Sequence, residues 1–208
     1  AKIKFLYENR SSLNLNSEDS WLLEKYYRDL VHAGAHLSEA ERVQLTGINE
    51  ELSKLQTAFG KNLLNDTNDL GVLVENLVDL DGLTATEIAT ASNGAKDRGH
   101  EGKYLLAMVN FTGNPLLTTL KNRELRKKIM DASLVKGNRN NEKDTKALLL
   151  QMVKLRARRA KLFGVSSHAE YVIHEQTAGS PANVHKVLLE IAPAAVKNAR
   201  AEGKQLQE

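Results

Sequence analysis

One run of residues limits the architecture more than any other. Leu45, Ile48, Leu52, Leu55, Phe59 and Leu63 follow one another at spacings of 3, 4, 3, 4 and 4. An α-helix turns once every 3.6 residues, so these six side chains form one stripe along one face. A strand would send its members to both faces. Ser38-Glu39-Ala40-Glu41 stands ahead of the stripe as a capping box, and the pattern continues to about Asn68. That is a helix on the order of 45 Å long. Its stripe needs a partner. The preceding apolar set of Leu22, Leu23, Tyr26, Tyr27, Leu30 and Val31, with Trp21 joining it, supplies one. This partner helix should open at Ser17 as N-cap and stop at Gly34, making an antiparallel hairpin over residues 16–68. The first fifteen residues read as an approach segment.

The period then changes. Strands are expected near 71–75 and near 104–109, with a turn at Asp81-Gly82 and a capped helix from Thr84 to about Gly99 between them. Asn114-Pro115 should close the second strand. Residues 70–120 therefore read as a small α+β element. Residues 122–208 return to helical spacing. One helix starts at Asn122 and is stopped by Gly137. A longer one starts around Asn141 and is stopped by Gly164. Short and long helices follow, capped by Ser167 and by Ser180-Pro181. Pro193 should kink or restart the last of them. The fold class is mainly α: a multi-helix domain spanning 1–208, with helix hairpins and a two-strand β element.

Composition narrows the chemistry. With 0 Cys, a disulfide scaffold, a thiolate zinc site and a cysteine nucleophile are excluded. Net charge of +3 is too mild to argue for nucleic acid. The longest apolar run, 104–109, is far short of the roughly 20 residues of a membrane span. The chain begins AKIKFLYENR without Met and ends AEGKQLQE, still helical in pattern, so a piece of a longer protein is expected.

Four clusters could carry chemistry. His32 and His36 are four apart, as zinc binding on a helix requires, but Ala33 stands where a metallopeptidase needs Glu. They read as surface histidines. His168, Glu170, His174 and Glu175 read as parts of a short amphipathic helix with Tyr171 and Val172 packed inward. The basic run Lys154 to Lys161 spreads its cations around a helix and reads as a solvated face. Asp66, Asp69, Asp79 and Asp81 miss the calcium-loop pattern and read as carboxylates with local hydrogen-bonding and turn roles.

Three stretches together resemble the M3 family of zinc metallopeptidases. They are KYYRDLVHAGAHLSEAERVQLTGINEELSKLQTAFGKNLL at 25–64, GKYLLAMVNFTGNPLLTTLKNRELRKKIMDASLVKG at 102–137, and the segment from Asn141 through DTKALLLQMVKLRARRAKLFGVSSHAEYVIHEQTAGSPANV to Val184. Their order and spacing match that family across essentially the whole chain. Ala33-Gly34-Ala35 and Tyr104–Asn110 look more like its peptidyl-dipeptidase branch than its oligopeptidase A branch. Thr177 and Gly179 depart from the Met and Lys expected there.

The resemblance implies a large, mostly helical, cytoplasmic hydrolase that releases C-terminal dipeptides from short peptides. In that family a His-Glu-x-x-His helix and a downstream Glu hold zinc. No such motif occurs here, so the resemblance places no catalytic, cofactor or metal residue on this chain. The expectation is an inactive channel-wall fragment whose partners are the remaining catalytic domain and the peptide substrates, without nucleic acid or membrane. The alternatives are a fragment of an oligopeptidase A-like endopeptidase and a free-standing helical interaction module using the Leu45–Leu63 stripe.

Overall fold

A computed structural model describes residues 2–108 and 113–208. In chain order the elements are α1 (Lys2–Glu8), a 3-10 turn (Arg10–Ser12), α2 (Ser17–His32), α3 (Glu39–Asp69) and β1 (Val72–Val74). A second 3-10 turn (Leu77–Leu80), α4 (Ala85–Asp97), β2 (Tyr104–Leu106) and α5 (Gly113–Thr119) follow. The chain closes with α6 (Arg123–Leu134), α7 (Lys146–Leu162), α8 (His168–Ile173) and α9 (Pro181–Gln207). The fold is mainly α with one small sheet, as expected. β1 and β2 pair antiparallel, with Val72 opposite Leu106 and Val74 opposite Tyr104. Val109, at the end of the expected second strand, lies outside the described residues.

Local chemistry explains most boundaries. In the α3 capping box the Ser38 hydroxyl accepts from the Glu41 amide, while Glu41 accepts from the Ser38 amide and hydroxyl. Thr84 and Glu87 form the same reciprocal pair at α4. Asn122 caps α6 and Ser180 caps α9. At α8 the Ser167 hydroxyl accepts from the Glu170 amide, but the Glu170 carboxylate turns to the Ser166 amide and hydroxyl instead.

Several boundaries differ from expectation. Asn16, not Ser17, caps α2, its side chain accepting from the Asp19 amide. Residues 2–8 are helical, held by α2: Tyr7 stacks on Tyr27 at 3.8 Å. Asn114-Pro115 lies inside α5 instead of closing a strand. α7 starts at Lys146, because Asp144 binds the Asn140 and Lys146 amides and holds the preceding residues in a turn. Pro193 does not restart α9, which is assigned as one helix through it. Trp21 and Val172 do not pack inward; Trp21 is 59% exposed.

The chain divides into two compact units, residues 1–51 with 153–208, and residues 52–152. The core of the second unit gathers Val74, Leu80, Ala91, Leu106, Met108, Leu116, Leu120, Leu125 and Ile129, from both strands, α4, α5 and α6. In the first unit Leu23, Leu37, Leu45, Ile48 and Ala160 are buried. Of the α3 stripe, Leu45, Ile48, Leu52 and Leu55 are buried, and Phe59 and Leu63 are half-buried.

The four aspartates are not local turn makers alone. Asp66 is fully buried and accepts from the Gly137 amide at 2.7 Å and from the Arg139 guanidinium at 2.9 Å. Asp69 pairs with Lys143, and that hydrogen bond holds its carboxyl below the usual range. Asp79 accepts from the Asn122 amide side chain, and Asp81 pairs with Lys121. Each ties a distant stretch of the chain within the second unit.

Candidate functional site

The first unit brings together residues that the sequence keeps more than a hundred positions apart. A cleft of about 330 Å³ is lined by Tyr7 and Tyr27, by Arg28 and His32 in the last turns of α2, by His36 beyond it, and by Phe163 and the α8 residues Glu170 and Tyr171. The chain leaves α2 through Gly34 at φ +94°. A Cβ there would meet Leu45 at 2.8 Å and Leu37 at 3.2 Å, so only glycine permits this close turn beneath the cleft.

Tyr171 organises the cleft. Its ring stacks on His32 at 4.1 Å and tilts against Phe163 at 4.9 Å. Its hydroxyl donates to the His32 carbonyl at 3.0 Å, satisfying a carbonyl in the last turn of α2. The Arg159 guanidinium lies 5.0 Å from the ring centre, a cation–π contact, and also donates to Asn49. Burial pushes the Tyr171 phenol above its ordinary value against the opposing effect of Arg159, so it stays protonated and serves as a donor. The other tyrosine pair is similarly occupied, since Arg10 covers Tyr7 at 4.2 Å.

The electrostatics follow from the same neighbours. Burial, then the charges of Arg159 and Arg156, hold His168 below the ordinary histidine value, so it is neutral near pH 7. The Ser166 contacts keep Glu170 ionised to lower pH than usual. Glu175 lies 3.7 Å from Arg28 and 4.0 Å from His174.

His32 is thus not a surface histidine: it is half-buried and stacked, while His36 is exposed with Nδ1 3.1 Å from the Val31 carbonyl. His32 and the 168–175 cluster do meet, through Tyr171. Among the described residues, however, no three histidine, aspartate or glutamate side chains converge to hold a metal. The donor set here does not fit zinc. Nor is the basic run one solvated face, because Arg159 is half-buried over Tyr171. Arg159 links α7 to α3 through Asn49 and to α8 through Tyr171 within this unit. No local pattern could have revealed the His32–Tyr171 contact. The only sequence signal was a hydroxyl-bearing aromatic at an inward position of α8.

Among the described residues no helix is long and apolar enough to cross a membrane. Residues 116–208 match the model of peptidase family M3. The chain is 31% identical over 207 residues to the dipeptidyl carboxypeptidase of Escherichia coli, covering all of this chain and 30% of that protein. It is 27% identical to oligopeptidase A of Haemophilus influenzae, over 89% of this chain and 27% of that protein. It is also 27% identical to the probable cytosolic oligopeptidase A of Arabidopsis thaliana, over 80% and 24%. The chain therefore spans less than a third of the length of each. With its C-terminal part matching the family model and its whole length aligned to part of a dipeptidyl carboxypeptidase, the chain is similar to the M3 family and, within it, to dipeptidyl carboxypeptidases.

Proposed function

We propose that this chain is a wall-forming part of a larger zinc-dependent peptidyl-dipeptidase that trims dipeptides from the C-termini of short peptides. The observation that carries this reading is the colinear similarity of all 207 aligned residues to a dipeptidyl carboxypeptidase of which they cover 30%. In this reading residues 1–208 are one helical region bordering the substrate channel. They supply no catalytic, cofactor or zinc-binding residue, and the zinc, its ligands and the general base belong to the remaining catalytic domain. A bound zinc would polarise the scissile carbonyl and its water. The side chains described above hold helices in place and take no part in that step. The parent works in the cytoplasm on peptides, without nucleic acid or membrane.

Oligopeptidase A-like endopeptidase action is the second reading, favoured by the similarity to the Haemophilus influenzae protein. Product analysis separates the two. The complete polypeptide, incubated with peptides of about ten residues, is expected to release successive C-terminal dipeptides that mass spectrometry resolves. Internal cleavage products with intact C-termini would favour the endopeptidase. A complete gene without His-Glu-x-x-His would remove both.

A further inference from the structure

The cleft between the end of α2 and α8 holds a hydrogen-bond donor that nothing around it uses. Arg28 Nε is buried and meets no acceptor among the described residues. Two carboxylates flank its guanidinium, Glu175 at 3.7 Å from Nε and Glu24 at 3.6 Å from an Nη, and both lie beyond hydrogen-bond reach. A buried donor left unpaired is costly, so an acceptor is expected there. Arg28 shares the lining of the cleft with Glu170, Glu175 and an apolar set of Val31, Phe163 and Val165, all in the first unit. Glu170 receives the Ser166 amide and hydroxyl on one carboxylate oxygen, and its other oxygen has no hydrogen bond among the described residues. Glu175 has only its long contacts with Arg28 and His174 there.

We propose that this cleft binds a free α-amino acid with an apolar side chain: its carboxylate across Arg28, its ammonium on Glu175 and Glu170, and its side chain against Val31, Phe163 and Val165. The charges select this class. A guanidinium edge offering Nε and one Nη matches a carboxylate bidentately. A phosphate would bring its charge against Glu170 and Glu175, and a bare cation would face Arg28. An uncharged ligand would leave Arg28 Nε unpaired. A zwitterion answers both signs. Arg28 and Glu175 stand 3.7 Å apart, and an α-amino acid carries its two charged groups on one carbon. Each further peptide unit separates them by about 3.5 Å. The cleft's volume and its apolar walls with a few placed polar groups are those of a small-molecule site. The site is independent of the peptidase reading, and activity is not its readout.

Isothermal titration of the 208-residue chain with L-phenylalanine tests it. Saturable binding is expected at about 1 mM or tighter. Phenylalanine amide lacks the carboxylate and N-acetylphenylalanine lacks the ammonium, and each should bind at least about tenfold more weakly. These ligands test the proposal on the unaltered chain, without relying on any variant to fold. Arg28→Gln should weaken phenylalanine binding at least about tenfold, and Arg28→Lys should weaken it less, keeping the charge and losing the fork. Glu175→Gln should weaken phenylalanine and leave N-acetylphenylalanine unchanged. Circular dichroism of the three variants should match the parent chain. In the complete polypeptide the Arg28-dependent binding should persist. No saturable binding of phenylalanine, equal binding of the three ligands, or tighter binding of a dipeptide of two phenylalanines would overturn the proposal. So would binding to the complete polypeptide that Arg28→Gln leaves unchanged.

Discussion

At the scale of single residues, the strongest constraints are long-range polar contacts. Asp66 is the clearest: a fully buried carboxylate between the Gly137 amide and Arg139. Replacing it with Ala leaves a buried amide and a partly buried guanidinium without their partner. The expected cost is about 3 kcal/mol in urea unfolding. Gly82 is the second. It sits at φ +101°, and a Cβ would lie 2.0 Å from the Thr119 carbonyl oxygen. Gly82→Ala should therefore destabilise by about 2–3 kcal/mol or disrupt the turn outright. The turn at Asp81-Gly82 was legible because glycine after aspartate is a local signal. The role of Asp66 was not, since its partners lie 71 and 73 residues away. Nothing in the spacing of four aspartates distinguishes a turn carboxylate from a buried anchor. The His32–Tyr171 stack was hidden for the same reason. Tyr171→Phe keeps the ring and loses only the hydroxyl contact, so it should cost about 1 kcal/mol. Tyr171→Ala should cost about 3 kcal/mol or more, since it also removes the ring between His32 and Arg159.

At the scale of elements, caps were legible and packing partners were not. The α3 and α4 capping boxes are written within four consecutive residues each, and both form. Thr84→Ala should lower stability by about 1 kcal/mol. The same caps predict an acid limit. Glu41 and Glu87 are held below their ordinary 4.5 by the Ser38 and Thr84 contacts, and Asp144 is lowered from 3.8 to about 2, chiefly by Lys146. Carboxyls that titrate lower in the folded state stabilise it above their unfolded values and lose that contribution as pH falls. His168 acts at higher pH. Its folded value lies below the ordinary 6.5, so the unfolded chain binds the proton more readily and stability declines as pH drops through that range. The midpoint of urea unfolding should therefore fall first between about pH 7 and 5 and again below about pH 4.5. His168→Gln should flatten only the first step. The helical stripe on α3 was also readable, but the exposed faces of α2 and α9 were not. Periodicity reports that a face is apolar, not whether anything covers it.

At the scale of the whole molecule, 208 residues form two compact units. The first unit's cleft is lined by ring stacks and a cation–π contact that tie α2, α7 and α8 together. The family was legible from three colinear blocks, because family resemblance is carried by order and spacing. No catalytic residue was legible, because the sequence carries no complete His-Glu-x-x-His motif. On the proposed function, this chain contributes structure to a zinc peptidase and holds none of its chemistry. The direct measurement is dipeptide release from a short peptide by the purified 208-residue chain, with added zinc and with chelator, beside the complete polypeptide. No release by the chain is expected in either condition, and chelator-sensitive release is expected from the complete polypeptide. Zinc-dependent dipeptide release by the 208 residues alone would contradict it.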